Sequence, residues 1–118
     1  MAGLENRDFS APDETRTPDK TTVDLVNLAG GQIGRYTFQP GWRWSECIKP
    51  VVHTDSCQVD HIGYVMSGSL HLVHNDGTEK DLTPGMVYRI APGHDAWNAG
   101  TEPVVLVEFQ GAAHFGEG

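Results

Sequence analysis

Short runs of alternating apolar and polar residues, separated by turn residues, fill most of the chain after Thr22. Alternation with a period of two is typical of strands that bury one face. No stretch keeps a helical period for three turns. The pattern therefore predicts an all-β, antiparallel fold with little helix. The predicted strands are residues 23–28, 33–38, 59–66, 70–74, 86–90 and 104–109.

Glycine and proline mark the turns between these strands. Asn75-Asp76-Gly77 is a strong hairpin signal, Pro84-Gly85 makes a turn before the strand 86–90, and Pro92-Gly93 ends that strand. Pro50 excludes a central strand from residues 45–55, which we expect to be irregular.

The chain divides into three parts by its pattern. Residues 1–20 are polar and without periodicity, which predicts an extended N-terminal arm. Two interpretations of the arm stay open: a loose tail, or a segment that pairs along the edge of a partner subunit. Residues 21–112 form the predicted barrel, and residues 113–118 a C-terminal tail.

Charge and composition narrow the function classes. The 118 residues carry a net charge of −8 with eight lysines and arginines in total, which argues against binding nucleic acid or an anionic membrane. The first twenty residues contain no apolar run of signal-peptide length, and we expect a soluble, cytoplasmic protein. Cys47 and Cys57 then fit free thiols or metal ligands better than a disulfide.

The order of the turns carries a family resemblance. The run Gly63-Tyr64-Val65-Met66-Ser67-Gly68-Ser69-Leu70 is followed by Asp76-Gly77, Pro84-Gly85-Met86-Val87 and Ala91-Pro92-Gly93. This series resembles the two motifs of the cupin superfamily, in its small single-domain form. The resemblance implies a jelly-roll barrel, or double-stranded β-helix, with a small-molecule pocket inside, and a homodimer.

The residues at the family's metal-ligand positions differ from its pattern. His61 stands where the first motif has glutamate, and Thr54 and Ser56 stand where it has two histidines. Ala96 stands at the histidine of the second motif, and His94 lies two residues earlier. The usual set of three histidines and one carboxylate is therefore not present.

A different metal site remains open. Alternation turns Cys57 and His61 toward the same face, which the resemblance places inside the barrel, and His94 is the natural third ligand. Thiolate and imidazole ligands favour zinc, nickel or copper. The alternatives are a hydrogen-bonded core histidine, a small buried cysteine, and a barrel that holds no metal.

Four further residues are candidates for ligand binding. Asp95 could bind directly or hold an imidazole ring, and Trp97 follows it at the expected pocket rim. Tyr64 offers apolar area with a polar handle, to the pocket or to a subunit contact, and Arg89 could balance a carboxylate or lie on a solvated outer face. The remaining histidines are expected outside the site: His53, His71, His74 and His114.

Three functions fit these residues. The first is a cupin that binds a small molecule, with a metal ion in the barrel. The second is a metal-dependent enzyme of the oxygenase, isomerase or hydrolase type, which an open coordination position would favour. The third is a metal-free sensor or structural dimer, because one barrel fold hosts many functions.

Overall fold

A computed structural model describes residues 3–110 and Phe115. No helix in this part of the chain is long and apolar enough to cross a membrane. The described elements are β1 (Glu14–Arg16), β2 (Thr21–Leu28), β3 (Gly31–Phe38), α1 (Trp44–Cys47), α2 (Lys49–Val52), β4 (His61–Ser67), β5 (Leu70–His74), β6 (Glu79–Leu82), β7 (Val87–Ile90), β8 (His94–Asn98) and β9 (Val104–Gln110).

The strands form two antiparallel sheets. The larger sheet has the order β1-β2-β3-β9-β4-β7, and the smaller one has the order β6-β5-β8. The apolar inner faces of both sheets contribute to one core. This arrangement confirms the predicted all-β fold. The turn at Asn75-Asp76-Gly77 joins β5 to β6, with Val73 opposite Glu79, as the hairpin signal predicts.

Alternation decides which side chains enter the core. In β4, His61, Gly63 and Val65 are buried, whereas Ile62 and Met66 are exposed. The face predicted to carry His61 into the interior is therefore the inner face. Because side chains alternate along a strand, knowing that one residue faces inward determines the facing of all the others.

Sequence patterning did not predict several elements. Residues 45–55 were expected to be irregular, but α1 and α2 form two helical turns over residues 44–52. Pro50 lies in the first turn of α2, where its missing N–H costs nothing. Strands β6 and β8 carry mostly polar residues and lack a clear apolar alternation. They form because each pairs with the more apolar β5.

The N-terminal arm packs on its own chain. Strand β1 pairs with β2, and the Asp13 N–H donates to the Leu25 carbonyl at 2.8 Å. Arg35 of β3 lies over the Phe9 ring at 4.9 Å. In the described residues the arm is therefore held on its own chain through β1, and its pairing along the edge of a partner subunit stays a prediction.

The predicted C-terminal tail, residues 113–118, lies outside the described residues except for Phe115. His114 is among the residues outside. Phe115 is only 4% exposed, and its ring stacks on Tyr36 at 4.6 Å between centroids. Arg16 donates a hydrogen bond to the Phe115 carbonyl at 3.0 Å. Position 115 therefore belongs to the core and not to a free tail.

We predict that Gly63→Ala destabilises the protein by about 1–3 kcal/mol. A Cβ atom at Gly63 would lie 2.6 Å from the Val107 carbonyl oxygen and 2.7 Å from the Tyr88 hydroxyl. Chemical unfolding measures the loss. Gly31→Ala is the matched control, because nothing lies within 4 Å of its added Cβ. Equal unfolding free energies for the two variants would contradict the prediction.

Candidate metal centre

Three buried side chains converge inside the barrel. The ligand atoms of Cys57, His61 and His94 all lie within 4.8 Å of one another. None of the three residues is more than 4% exposed. The structure thus brings together the three residues that the sequence singled out as metal ligands.

The backbone explains how they meet. The Cys57 N–H donates to the His94 carbonyl at 2.7 Å, in an isolated bridge between the segment before β4 and the start of β8. Gly93, with φ at +98°, provides the backbone conformation that leads into β8. The alternation argument treated Cys57 and His61 as parts of one continuous strand. That detail is wrong, because β4 begins only at His61 and Cys57 reaches the site through the bridge.

A buried carboxylate orients His61. The His61 Nδ1 lies 2.6 Å from the Glu108 Oε1, and the Tyr88 hydroxyl donates to the Glu108 Oε2 at 2.6 Å. Glu108 is 1% exposed, on the inner face of β9. Sequence reasoning missed Glu108, although a single acidic residue within the apolar strand 104–109 was a usable signal.

A backbone carbonyl orients His94. Its Nδ1 lies 2.7 Å from the Ala91 carbonyl oxygen, which can only accept, so Nδ1 carries the proton. Nε2 is then the ring nitrogen left for the site. Hydrogen bonds of this kind fix the tautomer of metal-binding histidines and the direction of their rings.

The site is electrostatically coupled. Burial alone would raise the pKa of the Cys57 thiol, but hydrogen bonds and charge from His61 and His94 outweigh it and lower the pKa to about 6. Burial alone would lower the pKa of His61, but the Glu108 charge and the hydrogen bonds to Cys57 and Glu108 raise it to about 9. Burial and the Glu108 charge raise the pKa of Tyr88.

An aromatic cavity adjoins the three ligands. Its volume is about 20 Å³, room for about one water molecule. Its walls are Tyr36, Phe38, Trp42, Trp44, Leu70, Leu72, Ile90, Ala96, Leu106 and Phe115, with His61, His94 and Glu108 at its polar side.

A groove between β6 and β7 adjoins the same cavity. The groove has a volume of about 250 Å³ and shares Leu72, Ile90 and His94 with the cavity. The two strands lie at the edges of different sheets and are not paired with each other. A small molecule could therefore approach His94 along this gap.

Two of the four predicted ligand-binding residues lie on the outer face of the larger sheet. Tyr64 and Arg89 point away from the cavity, and Arg89 is held in a two-pronged pair with Asp60 at 3.0 and 3.1 Å. The prediction that they bind an interior ligand is therefore wrong. Tyr64 lies on the face of β4 opposite to His61, and Arg89 lies on the face of β7 opposite to Tyr88. Arg89 borders only the outer groove.

Asp95 and Trp97 lie on the outer face of the smaller sheet. Asp95 accepts from the Ser45 N–H at 3.2 Å, and among the described residues it has no imidazole partner. Trp97 lies between Arg43, at 4.2 Å, and His71, at 4.6 Å. The expected place of Trp97 at the pocket rim and the expected role of Asp95 at the site are wrong, because β8 turns His94 inward and positions 95 and 97 outward.

The other candidate residues lie apart from the site. His71 is held by Asp81 and Glu79 on the outer surface, and His74 bonds to the Pro92 carbonyl. His53 ends α2 in a left-handed conformation. Cys47 is buried, with its sulfur 3.9 Å from a carboxylate oxygen of Asp19.

The fold and this inward-facing site agree with the protein family that the chain matches. The chain belongs to the Cupin domain family, which it matches over residues 34–109. No curated protein matches it significantly.

Solved structures with the same fold differ in function. A protein of unknown function from Rhizobium leguminosarum is 19% identical, with a TM-score of 0.65 over 92% of this chain and 97% of that chain. A sugar phosphate isomerase of the cupin superfamily from Silicibacter pomeroyi is 20% identical, with a TM-score of 0.62 over 88% and 73%. The oxalate decarboxylase of Lactobacillus farciminis is 16% identical, with a TM-score of 0.61 over 86% and 32%. At these identities the likeness concerns the fold alone.

We predict that the metal-free protein holds a thiolate at Cys57 in neutral solution. Chelator-treated protein should show thiolate ultraviolet absorbance with a midpoint near pH 6, because His61 and His94 stabilise the anion. Cys47→Ser should keep this midpoint, and Cys57→Ser should remove it. His61→Gln should move it upward. A wild-type midpoint near the ordinary thiol value would contradict the prediction.

Proposed function

We propose that the protein binds a small molecule at a transition-metal centre held by Cys57, His61 and His94. The observation that carries the proposal is the convergence of these three buried donor atoms within 4.8 Å. Sulfur and imidazole nitrogen suit zinc, nickel or copper, and make a poor site for magnesium or calcium. The chemistry of the donors therefore fits a transition metal.

The surrounding residues support the same function. Glu108 and the Ala91 carbonyl hold the two imidazole rings by Nδ1, which leaves both Nε2 atoms for the centre. Tyr88 fixes the Glu108 carboxylate in turn. The aromatic walls of the cavity limit the access of water, and the groove between β6 and β7 provides an entrance.

A metal-dependent enzyme is the second candidate. Three protein donors leave a coordination position for a ligand, an arrangement typical of catalytic metal sites. A bound metal would act as a Lewis acid, orienting a substrate and stabilising negative charge. The donor set supports an oxygenase, an isomerase or a hydrolase without selecting one.

The alternative to a metal centre is a metal-free site in which the Cys57 thiol is the reactive group. The Cys57 sulfur lies 3.6 Å from the His61 Nε2, and His61 is held by Glu108 on its other nitrogen. This order of thiol, imidazole and carboxylate is that of an activated nucleophile. Metal content decides between this alternative and the proposal.

The location of the protein is also part of the proposal. Cys47 and Cys57 are free thiols, which fit the reducing conditions of the cytoplasm. We expect a small molecule, and not a nucleic acid, to be the natural ligand, because the net charge is −8.

We predict about one equivalent of metal per chain in protein purified without an affinity tag. His61→Ala and His94→Ala should each abolish stoichiometric metal, because two ligands of three do not hold the ion. Cys57→Ser should do the same. Elemental analysis measures the content. His71→Ala is the matched control, and it should keep the metal because this histidine lies on the outer surface.

Replacing the carboxylate that orients His61 should give an intermediate result in the same experiment. Glu108→Gln should weaken metal affinity about 10–100-fold without abolishing it, because the His61 ring loses a charged partner. Metal-free wild type, with a clear loss of stability in His61→Ala, would overturn the metal centre and leave His61 as a core histidine.

A further inference from the structure

The groove between β6 and β7 is the space beside the candidate metal centre that can hold more than a water molecule. It has a volume of about 250 Å³, whereas the aromatic cavity has about 20 Å³. One water needs about 10–15 Å³ of such space, so the groove has room for a molecule of several heavy atoms. His94 borders both spaces. A small molecule that approaches the centre therefore lies mainly in the groove.

The floor of the groove is apolar. Leu72 and Leu82 come from the smaller sheet, and Tyr88 and Ile90 come from β7 of the larger sheet. Neither leucine is more than 8% exposed. The Tyr88 hydroxyl donates to Glu108 inside the barrel, so it is not free for a molecule in the groove. These side chains favour a ligand that has an apolar part.

Lys80 is a charged residue on the inner face of a strand. Leu82, two positions further along β6, is buried in the core. Glu79 and Asp81, the immediate neighbours of Lys80, both bond to His71 on the outer face of the same sheet. Because side chains alternate along a strand, Lys80 faces the groove, which it lines.

The Lys80 ammonium has no acidic partner within the part of the chain that the structure describes. The other cationic groups that line the groove are paired. Arg89 is paired with Asp60 at 3.0 Å, and the His74 ring lies 3.2 Å from the Asp76 carboxylate. Since the whole chain carries a net charge of −8, a local cation is needed to attract an anion to this place.

We propose that the groove binds a small carboxylate with an apolar body, and that its carboxylate pairs with Lys80. The apolar body lies on Leu72, Leu82 and Ile90. One lysine matches the single charge of a carboxylate, whereas a phosphate group brings about two charges to a groove that also contains Asp76. This inference rests on the proposed function, because it names the class of molecule bound at that site.

Lys80 is then a specificity-determining residue, although another role is open to it. Strand β6 is the edge of the smaller sheet, and an inward charge on an edge strand hinders pairing with another chain. The two roles predict different results. Loss of an edge charge makes the protein associate, but it does not change how the groove discriminates between a charged and a neutral ligand.

The test compares probes of nearly the same shape. Benzoate carries a carboxylate, and benzamide replaces it with a neutral amide. Calorimetric titration of the wild type should show about tenfold tighter binding of benzoate, the size of one hydrogen bond between charged groups. Equal affinities, or binding of neither probe at millimolar concentration, overturn the inference. Tighter binding of phenyl phosphate than of benzoate overturns the choice of a carboxylate.

Three variants assign the preference to the lysine charge. Lys80→Gln should lower the ratio of the two affinities to about one, and Lys80→Arg should keep most of the preference. Lys49→Gln is the matched control, because Lys49 lies on α2 beside Asp55 and away from the groove. A preference that survives in Lys80→Gln, or that disappears in Lys80→Arg, overturns the inference. Light scattering on the same samples detects association caused by loss of the edge charge.

The same titrations separate this inference from the metal proposal. They are run on zinc-loaded and on chelator-treated protein, with metal content measured independently. A preference for benzoate that Lys80→Gln removes in chelator-treated protein supports the inference, even where the metal proposal fails. A preference that is present only with zinc and survives in Lys80→Gln overturns it, because the carboxylate then binds the ion.

Discussion

The buried carboxylate of Glu108 is the constraint on which the interior depends. Removing a carboxylate from water is costly unless hydrogen bonds replace the lost hydration. Here the His61 ring and the Tyr88 hydroxyl supply them, both at 2.6 Å. The three residues come from β9, β4 and β7. The geometry of the site therefore depends on the register in which these strands pair. A shift of any of them by one residue would leave Glu108 buried without its partners.

That requirement explains the close packing around Gly63. The residue lies between Tyr88 and Glu108 across the sheet, with no room for a Cβ atom. A side chain there would separate the strands that hold the carboxylate. The glycine is therefore needed for close approach, and not for an unusual backbone angle.

The sequence predicted the parts of the fold that short-range patterns control. Alternation in β4 gave the inward face of His61, and Asn75-Asp76-Gly77 gave the hairpin, because both depend on neighbouring residues. Strand β8 was missed, since its residues pair with β5 through contacts distant in sequence. The same omission misplaced Asp95 and Trp97: without the strand, nothing indicated that His94 points inward and its neighbours outward.

The position of the candidate metal centre follows from the same period of two. His94, Ala96 and Asn98 all face inward on β8, so a ligand moved from position 96 to position 94 keeps its facing. The shift moves it about 7 Å along the strand, toward the end where Cys57 pairs with the backbone of His94. A small side chain at Ala96 then leaves space beside Trp44 and Phe38. The departure from the usual cupin ligands thus has two linked results: cysteine can join the ligand set, and an apolar cavity opens next to it.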